Sequence, residues 1–567
     1  MRYSILADTY EELESTTKKL AKTEIVSRLI KKTPAENLEQ VVMLLNGKVF
    51  PPWAEHEIGV ANQQMIKAIA KATGASNKEV VDKFRKSGDL GLTAEAFTEK
   101  KKQRTLGSEE LTVKKVFANF REIAEQSGSG SQDRKLGLLA ELLSSAKPKE
   151  ALYIARTVLE QLRVGVAEGL IRNAIAQAFE LKPEDVENAW NFLPDYGEIA
   201  KIAKEKGAKG LQKIDLKLGT PCNVLLAEKA PDLKTAIESF EHVLLQYKYD
   251  GMRSLIHKKG EKIWIFTRRL EDVTKAFPEI ADYAKRALKA KEIIIDGETL
   301  ALDSKTGRPI PFQKLSTRIK RKYDVEIAMK EIPVQINVFD ILYLNGKTLF
   351  DKTQRERFEI LKEEVKEIKD KFRIADSLIT KDLEKAEKYY KESLAAGHEG
   401  LIVKNLDSLY IPGRSVAGGW LKVKPVMENL DLVIVGGMWG SGKRAGTVGS
   451  LILGIRDADT GKFLECGMLG TGLKEKESEQ EGSITLKEIT KMLRPLIISE
   501  DGNNLKIKPK IVIEVGYQEI QKSPSYASGY ALRFPKFIRM RPDKAPEEAD
   551  DTERLKKLYE MQKVRAK

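Results

Sequence analysis

Val243-Leu244-Leu245-Gln246-Tyr247-Lys248-Tyr249-Asp250-Gly251-Met252-Arg253 is the segment from which the rest of the chain can be read. Its apolar first half predicts a strand, and in a strand successive side chains alternate faces. Val243, Leu245, Tyr247 and Tyr249 then share one face, and Gln246 and Lys248 share the other. A lysine on a rigid strand among hydrophobes is costly unless paired. Desolvation favours its neutral amine, which is a nucleophile. Asp250-Gly251 predicts a turn, and Arg253 brings a fixed positive charge back beside it. Taken alone, the pattern fits an edge lysine guarding a hairpin equally well.

Working outward, the N-terminal side is helical. Apolar residues recur at three and four spacing in Tyr10-Leu13-Leu20, in Val41-Val42-Leu44-Leu45 and in Leu136-Leu138-Leu139-Leu142-Leu143. Period-two alternation is nearly absent up to about residue 216. Turns carry the expected breakers, as at Pro51-Pro52 and over 127–131. The phrase Leu162-Arg163-Val164-Gly165-Val166-Ala167-Glu168-Gly169-Leu170 stands out. A glycine at a helix junction admits another backbone, and a helix N-terminus offers N–H groups to phosphate. A plain inter-helix turn reads the same. Gly207, Gly210, Gly219 and Pro221 make residues 207–221 a linker by composition.

Downstream, strands and helices mix. Lys262-Ile263-Trp264-Ile265-Phe266-Thr267-Arg268-Arg269 predicts a strand ending in two arginines. A helix follows over 277–289. Glu292-Ile293-Ile294-Ile295-Asp296-Gly297-Glu298-Thr299-Leu300 is a buried strand by its β-branched run, with Asp296 and Glu298 on one face. Carboxylates there need cations, a metal or a salt-bridge partner. The run 334–344 is a strand centred on Phe339-Asp340. A helix over 382–396 ends at Gly397, and Glu399-Gly400-Leu401-Ile402-Val403-Lys404 follows. Strict alternation puts Glu399 and Lys404 on opposite faces, so a bend or bulge at Gly400 is required if both are to reach one site. Trp420-Leu421-Lys422-Val423-Lys424 places both lysines on one face.

After Pro425 come strands at 431–435 and 451–455, joined through Trp439-Gly440-Ser441-Gly442-Lys443-Arg444-Ala445-Gly446. That glycine-rich segment lacks the Lys-Ser or Lys-Thr pair of a phosphate-binding P-loop. Short strands at 463–468 and 510–517 predict a small β-barrel of OB-fold type. The stretch 533–544 interleaves aromatics and cations, and 546–567 reads as a charged terminal helix.

The whole chain has 567 residues, enough for three or four domains. Its 98 Lys and Arg against 84 Asp and Glu leave a net charge of +14, which favours a polyanionic partner. Abundant Lys and Glu with few His and Cys hint at a thermophile. Cys222 and Cys466 can form neither a disulfide framework nor a zinc site, and they point to a reducing compartment. The first residues lack a secretory h-region, and no apolar run is long enough to span a membrane. The expectation is a cytoplasmic protein.

In order, these phrases resemble the covalent nucleotidyltransferases: ATP-dependent DNA ligases, RNA ligases and mRNA capping enzymes. Lys-Tyr-Asp-Gly-Met-Arg is similar to their active-site motif. The resemblance is close over about 221–545 and extends to residues 1–216 in architecture and in the phrase 162–170. The nearest pattern is the archaeal type of ATP-dependent DNA ligase. It implies an all-α N-terminal DNA-binding domain (1–216), an α+β nucleotidyltransferase domain (217–424) and a C-terminal β-barrel of OB-fold type with a terminal helix (425–567). It implies Lys248 as the catalytic nucleophile that carries AMP. Arg253, Arg268, Lys404, Lys422 and Lys424 would meet the nucleotide, and Phe339 would stack on adenine. Glu298 and Glu399 would hold Mg²⁺ or ribose hydroxyls. Gln246 would touch the adenine edge, where the family pattern has glutamate. Arg414, in a loop longer than the pattern, is matched to a nucleotide-binding arginine. Arg541 and Lys544 belong to the last motif, proposed to cover the departing pyrophosphate.

The implied partners are ATP, Mg²⁺ and nicked duplex DNA. The implied setting is DNA replication, repair and recombination. The chain is expected to act as a monomer, and a sliding clamp is left open as a further partner. An RNA ligase or capping-type enzyme shares the lysine chemistry, though neither usually carries a long helical N-terminal domain. A DNA-binding scaffold with a decayed site is the alternative from another class.

Overall fold

Helices account for the N-terminal part of the chain from Tyr3 to Leu211. Their sequence spacing explains their packing. In Tyr3–Glu14 the residues Tyr3, Leu6, Ala7, Tyr10 and Leu13 form one stripe with no solvent exposure. Helix starts are capped by side chains where the sequence supplies them. Thr112 Oγ1 accepts the Lys115 N–H at 3.1 Å, and Asp195 Oδ1 accepts that of Gly197 at 2.8 Å. The helical part shares one apolar core. The computed structural model describes every residue except 55, 57, 102–109, 320–323, 415–418, 426–427, 441–443, 445, 475–483 and 565–567, and excepts the side chains of Arg414, Lys563 and Val564.

The stretch 207–221 departs from its reading as a linker. The helix Tyr196–Leu211 runs past Gly207, which kinks it at φ 56°. Beyond it, Leu216 and Cys222 are buried with Leu255 and Phe266 of the following part. The Gly219 N–H donates to His257 Nδ1 at 3.2 Å. A Cβ on Gly219 would come within 2.9 Å of the Trp264 ring. The glycines here permit close backbone packing rather than a loose tether.

The middle part contains β1 (Val243–Tyr247), β2 (Met252–Lys259), β3 (Lys262–Thr267), β4 (Glu292–Leu302), β5 (Val334–Leu344), β6 (Phe372–Ile374), β7 (Ser377–Ile379), β8 (Leu401–Asn405) and β9 (Trp420–Val423). They divide between two sheets. One runs β6-β5-β4-β2-β3, and the other runs β7-β1-β8-β9 with Glu228–Lys229 at its edge. Ile256, Ile265, Ile293, Ile295, Ile336 and Val338 line the core of the first sheet. The helices Pro278–Ala287 and Gln354–Glu364 also bury apolar residues there.

The C-terminal part is β-rich, as expected. Leu430–Trp439 pairs with Val448–Arg456 on one side, and with Asn504–Ile507 and Val512–Gly516 on the other. Lys536–Met540 extends the sheet through Val512–Gly516. Leu432, Ile434, Leu453, Ile489, Ile513 and Val515 fill its core. The terminal helix is Thr552–Val564. Most of the glycine-rich segment, at 441–443 and 445, lies outside the described residues. Both cysteines are buried and free, and no described helix is long and apolar enough to cross a membrane.

Candidate active site

Register decides which side chains meet. Gln246 on β1 is opposite Ile402 on β8, which is opposite Lys422 on β9. Leu244, Lys404 and Trp420 form the parallel row one step along. Alternation therefore gathers Gln246, Lys248, Lys404, Lys422 and Lys424 on one face of this sheet. The second sheet contributes Arg253, directly opposite Glu298 across β2 and β4. Phe339 arrives by a bulge. Asp296 pairs with Asp340 and Gly297 with Val338, which leaves Phe339 without a cross-strand partner and turned into the cleft.

Gly400 resolves the alternation problem. Its φ is 132°, a region for glycine, and a Cβ there would lie 2.2 Å from Val423 O. The chain bends, so Glu399 and Lys404 both line the same cleft. Glu399 N–H donates to Lys248 O and Lys248 N–H to Gly400 O, each at 2.8 Å.

At the centre, Glu399 Oε2 holds Lys248 Nζ and also accepts from Lys424 Nζ at 2.8 Å. Burial opposes ionisation of Glu399, but Lys248 and Lys424 outweigh it and hold the carboxyl at about 2. Glu298 behaves oppositely. Burial pushes it up to about 8 against the pull of Lys248 and Arg253. Arg253 is committed elsewhere: its Nε donates to Asp296 Oδ1 at 2.9 Å, its Nη2 to Asp296 Oδ2, and its Nη1 to Leu225 O at 2.6 Å. The buried salt-bridge pair weighed for this strand is thus Asp296 with Arg253, and burial favours the protonated form of Glu298.

Lys404 is 1% exposed. Its Nζ lies 3.8 Å from the Trp420 ring centroid and 4.7 Å from that of Phe339, a cation–π arrangement. Burial lowers its pKa to about 7, with Asp340 and Asp296 pulling the other way. Lys422 Nζ donates to Ala227 O at 3.1 Å. Arg268 is exposed at the rim of the cleft. The Arg414 side chain lies outside the described atoms. Gln246 is 2% exposed and lines the cleft floor.

Arg541 and Lys544 are not brought to this cleft. Arg541 Nη1 lies 2.7 Å from Asp431 Oδ2, and Lys544 Nζ lies 2.7 Å from the same oxygen. Arg533, Phe534, Lys536 and Ile538 of the β-rich part line the cleft instead. The helical part contributes residues near Phe50, Pro51 and Pro52, together with Glu160 and Leu162. The cleft measures about 2110 Å³, far more than a nucleotide needs, and all three parts of the chain border it. Of the helical border, Leu162 opens the phrase singled out in the sequence, whereas Phe50 was missed and Pro51-Pro52 read only as a turn. Sequence reasoning also missed Trp420 as a partner of Lys404. An aromatic two residues before Lys422 on one strand face was the available signal.

Among the described residues no three His, Cys, Asp or Glu side chains form a metal cluster. The cleft does suit a hard cation that keeps its own waters and takes few carboxylates. Glu298 supplies a buried carboxyl facing Lys248 and Arg253, and Glu399 supplies a second carboxylate in the same cleft.

Comparison with known proteins bears on the same regions. Residues 2–176 match the family description "DNA ligase N terminus", residues 224–424 match "ATP dependent DNA ligase domain", and residues 444–544 match "ATP dependent DNA ligase C terminal region". The DNA ligase of Thermococcus onnurineus is 46% identical over 99% of this chain and 98% of its own length. That of Nanoarchaeum equitans is 44% identical over 99% of each. A solved structure titled Pmar-Lig_PreS3 shares the fold, with a TM-score of 0.55, 16% identity, and coverage of 94% of this chain and 99% of that one.

Proposed function

The chain belongs to the ATP-dependent DNA ligase family, and on that premise we propose that Lys248 is the nucleophile that carries AMP. The supporting observation is the triad Lys248–Glu399–Lys424 in a cleft shared with Arg253, Glu298, Phe339 and Lys404. A lysine must be neutral to attack. Glu399 is shared, so Lys424 can retain the carboxylate while Lys248 is released from it.

Three transfers follow. Lys248 Nζ, once neutral, attacks the α-phosphorus of ATP: the P–N bond forms, the P–O bond to pyrophosphate breaks with its electron pair on the leaving oxygen, and the proton lost from nitrogen passes to solvent. A 5′-phosphate oxygen at a nick then attacks that phosphorus and frees the lysine. The 3′-hydroxyl last attacks the 5′-phosphate, forming the phosphodiester, expelling AMP and passing its proton to solvent. Catalysis of such steps rests on positioning and charge neutralisation. Lys404, Lys422, Lys424 and Arg268 supply cations, Phe339 supplies the stacking face, and Gln246 reads the base edge. Arg253, locked to Asp296, fixes the wall beside Glu298. Mg²⁺, when bound by Glu298 and Glu399, would neutralise phosphate charge.

Nicked duplex is the proposed DNA partner. The helical part and the exposed Phe534 side of the β-rich part would border it, and the enzyme would act as a monomer in the cytoplasm. Full-length kinship with DNA ligases disfavours the RNA-ligase, capping and scaffold alternatives. Incubation with α-labelled ATP and Mg²⁺ should give acid-labile label on Lys248, which a chase with nicked duplex should remove. Label on another residue would overturn the assignment.

A further inference from the structure

Glycine permits the bend at Gly400 but does not choose it. With no Cβ, a glycine has the widest choice of backbone conformation, so something else must hold Gly400 at φ 132°. The strand bonds leave that choice open. Lys248 gives its N–H to Gly400 O and accepts that of Glu399, each at 2.8 Å. Two consecutive residues thus stand opposite one, which is a bulge. In a regular ladder the Lys248 carbonyl would accept the N–H of Gly400 instead, and Glu399 would turn to the other face. The side chain that meets the bulge comes from the helix Leu383–Ala395. Ser393 is fully buried. Its hydroxyl donates at 2.6 Å to Gly400 O, the oxygen that also accepts from Lys248. Its carbonyl accepts the His398 N–H at 3.1 Å. A serine inside a helix commonly bonds back to the carbonyl four residues earlier, whereas Ser393 reaches seven residues forward. On the far face the His398 ring packs on Tyr247 and Tyr249, at 5.3 and 4.8 Å between centroids. Those contacts hold the strands together without orienting the Gly400 peptide.

We infer that Ser393 is a positioning residue: by anchoring Gly400 O it locks the bulge that turns Glu399 onto Lys248 Nζ for adenylyl transfer. This rests on the reading of Lys248 as the nucleophile. Ser393 acts through the backbone, since its hydroxyl is spent on a carbonyl and has no surface of its own. What it fixes is the placement of the carboxylate that Lys248 and Lys424 share. A misplacement of about 1 Å in such a constellation costs on the order of a hundredfold in rate. The stacking ring of Phe339 belongs to the other sheet and does not depend on the bulge. Loss of the lock should therefore slow the chemical step and largely spare nucleotide binding.

Ser393→Ala tests this in the full chain, because it removes one oxygen and leaves a strong helix former in place. Single-turnover self-adenylation at saturating α-labelled ATP and Mg²⁺ should slow by about tenfold or more, while ATP affinity by isothermal titration stays within about threefold of the parent. Amide hydrogen exchange gives the second readout. Peptides covering 398–401 should lose protection, and those of the helix Leu383–Ala395 should keep it. An unchanged rate, or unchanged exchange over 398–401, would overturn the positioning role. So would faster exchange along the whole helix with rate and affinity lost together, which is the mark of a packing role. Peptide mapping of the label in the parent checks the premise. Label away from Lys248 would overturn the reading of the site, and this inference with it.

Discussion

Lys424 Nζ stands 2.8 Å from Glu399 Oε2, the same oxygen that holds Lys248 Nζ. Two cations on one carboxylate form a relay, in which the one that stays can keep the charge balanced when the other leaves. Lys248→Ala should abolish covalent AMP transfer. Lys248→Arg should fail as well, because a guanidinium stays protonated. Lys424→Met leaves Glu399 to Lys248 alone and should slow self-adenylation by about tenfold to a hundredfold. Single-turnover labelling with ATP checks all three. A Lys424→Met rate equal to that of the parent would remove the relay.

Glu298 gives a pH signature. Its folded pKa, about 8, lies above the ordinary value of 4.5 because burial disfavours the carboxylate. A raised carboxyl contributes stability that is full below pH 4.5 and is lost as pH rises through 8. Glu298→Gln cannot ionise and escapes that loss. Its thermal midpoint without metal should match the parent near pH 4 and exceed it increasingly towards pH 9. Added Mg²⁺ should raise the parent's midpoint at pH 8 more than the variant's. Calorimetry across that range reads both effects, and parallel curves would show that burial does not raise the Glu298 carboxyl.

Phe339 is held in a bulge and presents its ring to the cleft beside Lys404. Phe339→Ala should weaken ATP binding by about 1–3 kcal/mol, the usual value of an aromatic–base stack. Duplex DNA binding should be little changed. Isothermal titration on the folded variant decides. A lower thermal midpoint with unaltered ATP affinity would make the ring a core residue only.

Much of this was legible because local pattern and final structure agree. The strand read at 334–344 is the strand found, since its β-branched residues Val334, Ile336, Val338 and Ile341 are all buried. The conflict between Glu399 and Lys404 pointed to a bend at Gly400, and the bend is there because glycine alone tolerates that φ. What was illegible depends on distant chain. Ser377 meets Gln246 across 131 residues, and no spacing rule joins them. Gly219 read as part of a linker, since composition cannot separate a glycine that frees the chain from one that seats it on Trp264. The engagement of Arg541 and Lys544 by Asp431 was equally hidden, since Asp431 is 110 residues from Arg541 in sequence.

That engagement frames the last prediction. Arg541 and Lys544 converge on Asp431, whose side chain is 10% exposed. In this conformation the β-rich part turns Arg533, Phe534 and Lys536 towards the cleft, on the side open to a duplex. Departure of pyrophosphate from ATP needs cations beside its β- and γ-phosphates. A rotation of the β-rich part that carries Arg541 and Lys544 over the nucleotide would supply them, and the reverse rotation would reopen the face for DNA. The two cations are then needed for one step and idle in the other. Replacing both with alanine should cut self-adenylation by about a hundredfold or more. Sealing of a nick that already carries 5′-AMP should stay within about threefold of the parent, because no pyrophosphate leaves in that step. The two assays on one preparation separate the outcomes. Equal loss in both would mean that the Asp431 cluster serves the fold of the β-rich part or its grip on DNA, and the two-position reading would be abandoned.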